Sequence, residues 1–191
     1  MKPLLALCVL LVPPLSPGQT KEQHYEFPPM DQLQLLLTQS DRAVTQYEQA
    51  INLEARGGPQ LEQSAKTDLE SLRKIREILD PLKNSPAAFN GPAGFLIITG
   101  LDDASRNMAL CMGTAGIESS TLAQTGQFSE AHRILQIGQS CLDTSTLLYT
   151  VSESAVDVYG RFLLAQNDMN QQAVDALTQC KQIIQNGCKK K

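Results

Sequence analysis

Cys111 and Cys141 each stand fifteen residues from Gly126, one before it and one after it. Around that glycine Thr125-Gly126-Gln127 reads as a tight turn. Asp102 and Asp103 start the helical arm before it, and Ser129 or its neighbours start the arm that runs down to Cys141. Antiparallel helices joined by a tight turn rise about 1.5 Å per residue on each arm, so equal counts bring both sulfurs to one height. A disulfide needs Cα atoms about 4.4–6.8 Å apart, which facing helices supply. The stretch 101–142 is therefore expected to be a helical hairpin stapled by a Cys111–Cys141 bridge.

A bridge needs an oxidising compartment, and the amino terminus offers a route to one. Lys2, the apolar run Leu4–Val12 and the breaker-rich Pro13–Gly18 have the layout of a secretory signal peptide. Nine apolar residues fall short of the about 20 that span a bilayer, so no stable membrane insertion is expected once the leader is gone. Ser16 and Gly18 place small residues at −3 and −1 if cleavage precedes Gln19, and bulky Leu7 before Cys8 argues against lipidation. The expected location is periplasmic or extracellular. Removing residues 1–18 leaves 173 residues, enough for a single core, and moves the formal charge from −4 to −5 by removing Lys2. A mildly acidic chain without a basic stripe is a poor nucleic-acid ligand.

Residues 19–30 read as an extended lead-in that ends in Phe27-Pro28-Pro29, with Asp31 placed as an N-cap. Leu33, Leu36, Leu37, Val44, Tyr47 and Ile51 then follow helical spacing up to Arg56 and Gly57-Gly58. Pro59 opens a second helix with Leu61, Ala65, Leu69, Leu72, Ile75, Leu79 and Leu82 on one face. Glu62/Lys66, Glu70/Lys74 and Arg76/Asp80 lie opposite at i,i+4. Residues 31–84 thus form a first hairpin. The Pro- and Gly-punctuated stretch 84–100 reads as a crossover that becomes helix near Gly94, with a buried strand over Phe95–Ile98 as the alternative. A third hairpin, 143–186, is expected from Asp143-Thr144-Ser145 as caps, the turn signal Gln166-Asn167-Asp168 and Asn186-Gly187 as the end.

Within the middle hairpin, Leu101, Met108, Cys111, Met112, Ala115 and Leu122 make a conventional apolar stripe. A second stripe, Ser105, Ala109, Gly113, Gly116 and Ser120, is built almost wholly of small residues. Glycine inside a helix costs about 0.5–1 kcal/mol relative to alanine, so the stripe needs a reason. Close approach of a neighbouring helix is one. A groove left open for a ligand or for a partner's side chain is the other. In the following arm Phe128, Ala131, Leu135 and Gly138 are assigned to the core, broadened by Ile134 and Ile137. Tyr149, Val156, Tyr159 and Leu163 widen the stripe of the next helix.

Ala115, Glu118, Ser119 and Leu122, followed by Gly126, Phe128, Ala131 and Leu135, resemble a tetratricopeptide repeat over about residues 112–138. The Trp and Leu positions of that pattern hold Ala115 and Glu118, and no proline closes the unit near Asp143. The resemblance implies a short solenoid in place of a bundle.

The expected architecture is all-α, about six helices packed as three antiparallel hairpins, in a single helical domain over 31–191 that is either a bundle or a short solenoid. The mature chain has four cysteines, an even count behind a leader, so Cys180 and Cys188 pair by subtraction. Eight residues of continuous helix span about 12 Å, so that pairing requires the last helix to end before Ile184 and fold back. Otherwise Cys188 meets the Cys111/Cys141 end and Cys180 stays free.

No motif for a metal, a cofactor, a phosphate cradle or a nucleophile is present. The two histidines, His24 and His132, lie in the lead-in and on an amphipathic helix. The chain is expected to be noncatalytic, with no cofactor and no metal. The leading expectation is an exported protein-binding or adaptor domain whose partner surface lies on 101–142. The alternative is a carrier of a small apolar ligand in a cavity lined by Phe95, Met108, Met112 and Phe162.

Overall fold

The computed structural model describes residues 25–188, with the backbone alone for residues 180, 181 and 183–188. The leader and the lead-in through His24 lie outside the described residues. Four α-helices follow one another: α1 (Met30–Glu54), α2 (Pro59–Asn84), α3 (Pro92–Gln124) and α4 (Phe128–Cys188), with a short 3₁₀ turn at Pro86–Asn90. Among the described residues there is no strand, so Phe95–Ile98 is helical, as the first turns of α3.

The first two helices form as their sequence demands. Pro29, extended, precedes α1, and Asp31 accepts a hydrogen bond from the Gln32 amide at 2.9 Å without capping the helix. Leu33, Leu36, Leu37, Val44, Tyr47 and Ile51 are all buried. Pro59 occupies the first turn of α2, where a missing N–H costs nothing, and Pro81 is absorbed within the helix, which continues to Asn84. Leu69 departs from expectation and is exposed. The pair Glu62/Lys66 forms at 3.1 Å. Arg76 turns away from Asp80 to reach Asp41 of α1 at 2.6 Å, and Lys83 joins the same carboxylate at 2.9 Å. Those two cations hold Asp41 below the ordinary carboxylate range.

α1 packs on α2 and α4, and α3 packs on α2 and α4, with α1 and α3 on the diagonal, which is an up-down-up-down four-helix bundle. The two short connections, Ala55–Gly58 and Thr125–Gln127, lie at one end, where Arg133 of α4 pairs with Glu130 and donates to the Arg56 carbonyl. The 3₁₀ turn closes the other end. Phe89 is fully buried there and meets Tyr159 edge-on at 6.2 Å, and Phe162 stacks between Tyr159 and Phe27. Two glycines are required by local geometry. Gly126 adopts a φ of 79° in the α3–α4 turn. A Cβ on Gly94 would stand 2.0 Å from the Phe89 carbonyl, so only glycine lets α3 start against the 3₁₀ turn.

The largest correction is the helix count. Among the described residues there are four α-helices and not about six, because the expected third hairpin, 143–186, is one uninterrupted continuation of α4, a helix of 61 residues. Neither Asp143-Thr144-Ser145 nor Gln166-Asn167-Asp168 holds a proline or a glycine to break the helix, and the backbone stays helical through Gly187 to Cys188. Thr144 is buried and accepts from the Gln46 amide at 3.4 Å, while Ser145 and Ser105 bond across the α3–α4 seam. Polar residues that read as a cap are cross-helix contacts. Gln166 and Asn167 are simply exposed on the helix surface.

The α3–α4 hairpin is in the expected register. Cys111 and Cys141 are bridged, with Cα atoms 6.0 Å apart and a sequence separation of 30. Ser119 donates to the Ala131 carbonyl at 2.8 Å, Ser105 to the Ser145 carbonyl at 3.0 Å and Ser152 to the Ile98 carbonyl at 3.2 Å. The tight approach falls at Gly138, where a Cβ would come within 3.1 Å of the Ala115 Cβ. Gly138→Leu is therefore expected to wedge the hairpin and destabilise it by about 1–3 kcal/mol, read as a lower urea midpoint. An unchanged midpoint would mean that the seam has slack.

Candidate functional site

The small-residue stripe divides in two. Ser105 is buried and bonded to Ser145, whereas Ala109, Gly113, Gly116 and Ser120 are exposed. A Cβ placed on Gly113 or Gly116 would meet no atom within 4 Å. Close approach of a neighbouring helix does not explain these glycines, since nothing in the described chain covers them. Leu110 and Ile117 of the same helix are 69% and 73% exposed.

α4 supplies the other wall of this outer face. Its buried side is Ile134, Ile137, Cys141, Leu148, Ala155 and Val158. Phe128, Leu135, Tyr149, Val156 and Leu163, assigned to the core from their spacing, point outward and are 47–70% exposed, joined by Leu142 at 40%. On α3, Ile98, Thr99 and Asp102 line a groove of about 520 Å³ together with Tyr149, Ser152, Glu153 and Val156 of α4. Tyr149 donates to Glu153 at 2.6 Å, and this hydrogen bond, with Asp102 adding repulsion, raises its phenol above the ordinary value. Asp102 is paired with Arg106 at 2.6 Å.

The residues set down as a ligand cavity do not converge. Met108 is buried in the core, Phe95 and Met112 are exposed, and Phe162 belongs to the aromatic stack with Phe27 and Tyr159. His132 is exposed and bonds Gln136 at 3.2 Å, and His24 lies outside the described residues. The side chains of Cys180 and Cys188 are also outside them. The backbone between the two is helical, and a continuous helix keeps positions eight residues apart about 12 Å from one another. The tetratricopeptide-like pattern sits on the α3–α4 turn, whose arms of 33 and 61 residues run well past it.

Sequence reasoning missed a pair of buried carboxyls. Glu54, the last residue of α1, is 0% exposed, and Asp68 of α2 is 1% exposed. Both Glu54 oxygens and Asp68 Oδ2 lack a hydrogen-bond partner by geometry. Burial, then the Asp68 charge, pushes Glu54 up to about 8. Burial raises Asp68 too, and the polar groups of Glu54, Tyr47 and Asn107 nearby offset it only in part. Fully buried Tyr47 donates to the Asp68 carbonyl at 3.3 Å, and burial raises its phenol as well. Both shifts run upward, so burial favours a proton held on the pair. The signal was present in the sequence: both residues fall on the apolar stripes, Glu54 three after Ile51 and Asp68 three after Ala65.

Among the described residues no three His, Cys, Asp or Glu side chains gather to hold a metal, and no helix is long and apolar enough to cross a membrane. Neither the protein-family models nor the curated proteins nor the solved structures include a match to this chain.

Proposed function

We propose that this chain is an exported, noncatalytic protein-binding domain whose partner docks on the outer face of the α3–α4 hairpin. The observation that carries the reading is the composition of that face. Large apolar side chains of α4, from Phe128 to Leu163, stand exposed beside an open strip of small α3 residues. A ridge flanked by a shallow trough is what another helix packs into, and monomeric surfaces rarely leave so much apolar area bare. The leader-like residues 1–18 and the Cys111–Cys141 bridge support export. The bridge also holds the two walls of the face in fixed register.

Gly113→Leu/Gly116→Leu is the direct test. Both positions have open space around a Cβ, and leucine favours helix over glycine by roughly 1 kcal/mol at each. The double variant is expected to keep its far-UV helicity and melting temperature, or to gain slightly, while partner affinity falls at least tenfold as the trough fills. Unchanged affinity in a folded double variant would remove this face as the binding surface.

A further inference from the structure

The exposed apolar residues of α4 keep a fixed period. Phe128, Leu135, Leu142, Tyr149, Val156 and Leu163 recur every seven residues, and the same phase reaches Leu177, 69% exposed, through Asn170. A seven-residue repeat is the period of a helix seam, which a straight helix holds over many turns only by winding on a partner helix. The repeat also ignores the end of the bundle. Among the described side chains Ala165 is the last buried one, and from Gln166 to Gln179 every side chain is exposed except Asp168, which is half-buried. α4 therefore runs 23 residues past Ala165, about 34 Å, and as far as Gln179 its side chains stand clear of the bundle. Isolated helices of this size are only marginally stable in water, and this one carries Met169, Val174 and Leu177 in the open.

Two uncovered lengths of one helix need covering. The projecting half is one, and the bundle half of the ridge, Phe128 to Val156, is the other at about 42 Å. α1, α2 and α3 are each engaged in the bundle, so among the described residues no helix is left to cover them. We propose that the covering helix is α4 of a second copy: two α4 helices pair antiparallel, and each projecting half lies along the partner's α3–α4 seam. This rests on the reading of that face as a partner surface, and it names the partner.

The register follows from arithmetic. A two-fold axis between Tyr159 and Gly160 sets Leu163 against the partner's Val156, Asn170 against the partner's Tyr149 and Leu177 against the partner's Leu142. Ridge meets ridge at each of these positions. Gly160 sits beside that axis, has open space around a Cβ and lets two backbones approach. The cross-seam bonds Ser105–Ser145 and Ser119–Ala131 place each α3 residue beside the α4 residue that brings their numbers to 250. Leu177 thus arrives level with the partner's Met108, one residue from the small and exposed Ala109. A parallel pair would instead set projecting half against projecting half, away from the trough of small α3 residues. The contact is isologous and closes at two copies.

The test is the mass in solution of the full chain by sedimentation equilibrium over 1–100 μM, for wild type, Leu142→Asp and Leu177→Asp. Both leucines are exposed, so far-UV helicity should hold in each variant. Wild type is expected at twice the chain mass, and each variant is expected to fall to half of that. Wild type at a single chain mass throughout overturns the inference. So does a dimer that only Leu177→Asp dissociates, because the projecting halves would then pair with one another away from the seam. A monomer that still loses a different partner on Gly113→Leu/Gly116→Leu would leave the docking face standing without the second copy. A monomer indifferent to those changes would sink both readings.

Discussion

Raising the pH from 5 to 9 is expected to lower the unfolding free energy by roughly 4 kcal/mol, with most of the loss between pH 5 and 8. The sign comes from Glu54. Its folded value of about 8 lies above the ordinary 4.5 that it regains on unfolding. Between those values the native state holds a proton that the unfolded chain has released, so each step upward in pH favours the unfolded chain. Asp68, also raised, acts in the same direction. Asp41, held low by Lys83 and Arg76, acts in the opposite sense. Its contribution fades only below its ordinary value of 3.8, outside this window. Urea titrations at pH 5, 7 and 9 measure the slope. Glu54→Gln keeps the shape and cannot ionise, so its profile should flatten markedly. A wild-type profile already flat would mean that the pair does not retain its proton.

Losing the Cys111–Cys141 bridge should cost about 4 kcal/mol, the loop-closure entropy of a segment this long, and lower the melting temperature by roughly 8–16 °C. Both cysteines are fully buried, and a thiol packs there as a small hydrophobe, so the reduced chain is expected to keep its helicity below the melt. Thermal melts of wild type with and without reductant, beside Cys111→Ser/Cys141→Ser, read the effect. An unmoved melt would mean that the hairpin register is held wholly by packing, with Ser105, Ser119 and Gly138 sufficient.

The α3–α4 hairpin was legible because its evidence is local. Fifteen residues on each side of a glycine turn is a count, and it needs no knowledge of the remaining fold. The first hairpin was legible for the same reason, through Gly57-Gly58, Pro59 and two clean stripes. What failed was any judgement that depended on which neighbours a residue meets. α4 bears two apolar stripes, one through Ile134, Ile137 and Cys141 and one through Leu135, Leu142 and Tyr149. Periodicity reports both and cannot say which of them the bundle uses, so the outward ridge was merged into the core. Thr144 and Ser145 read as a helix start because their side chains can cap. Only the presence of Gln46 and Ser105 opposite them shows that they serve mid-helix. Glu54 and Asp68 went unremarked, since their burial exists only once α1 and α2 are packed. The exposed glycines show the converse. Their spacing was visible, but the absence of a covering helix is a fact of the assembled chain.

The continuous α4 also governs how this molecule moves through solvent. At 61 residues it is about 90 Å long, whereas a compact domain of this size has a radius of gyration near 15 Å. One copy therefore tumbles and diffuses as a tapered rod, with a frictional drag well above that of a sphere of equal mass, and it elutes early from a sizing column. Antiparallel overlap of two copies would double the mass while adding little to the long axis. The frictional ratio would then fall on association, and elution volume alone would understate the change in mass.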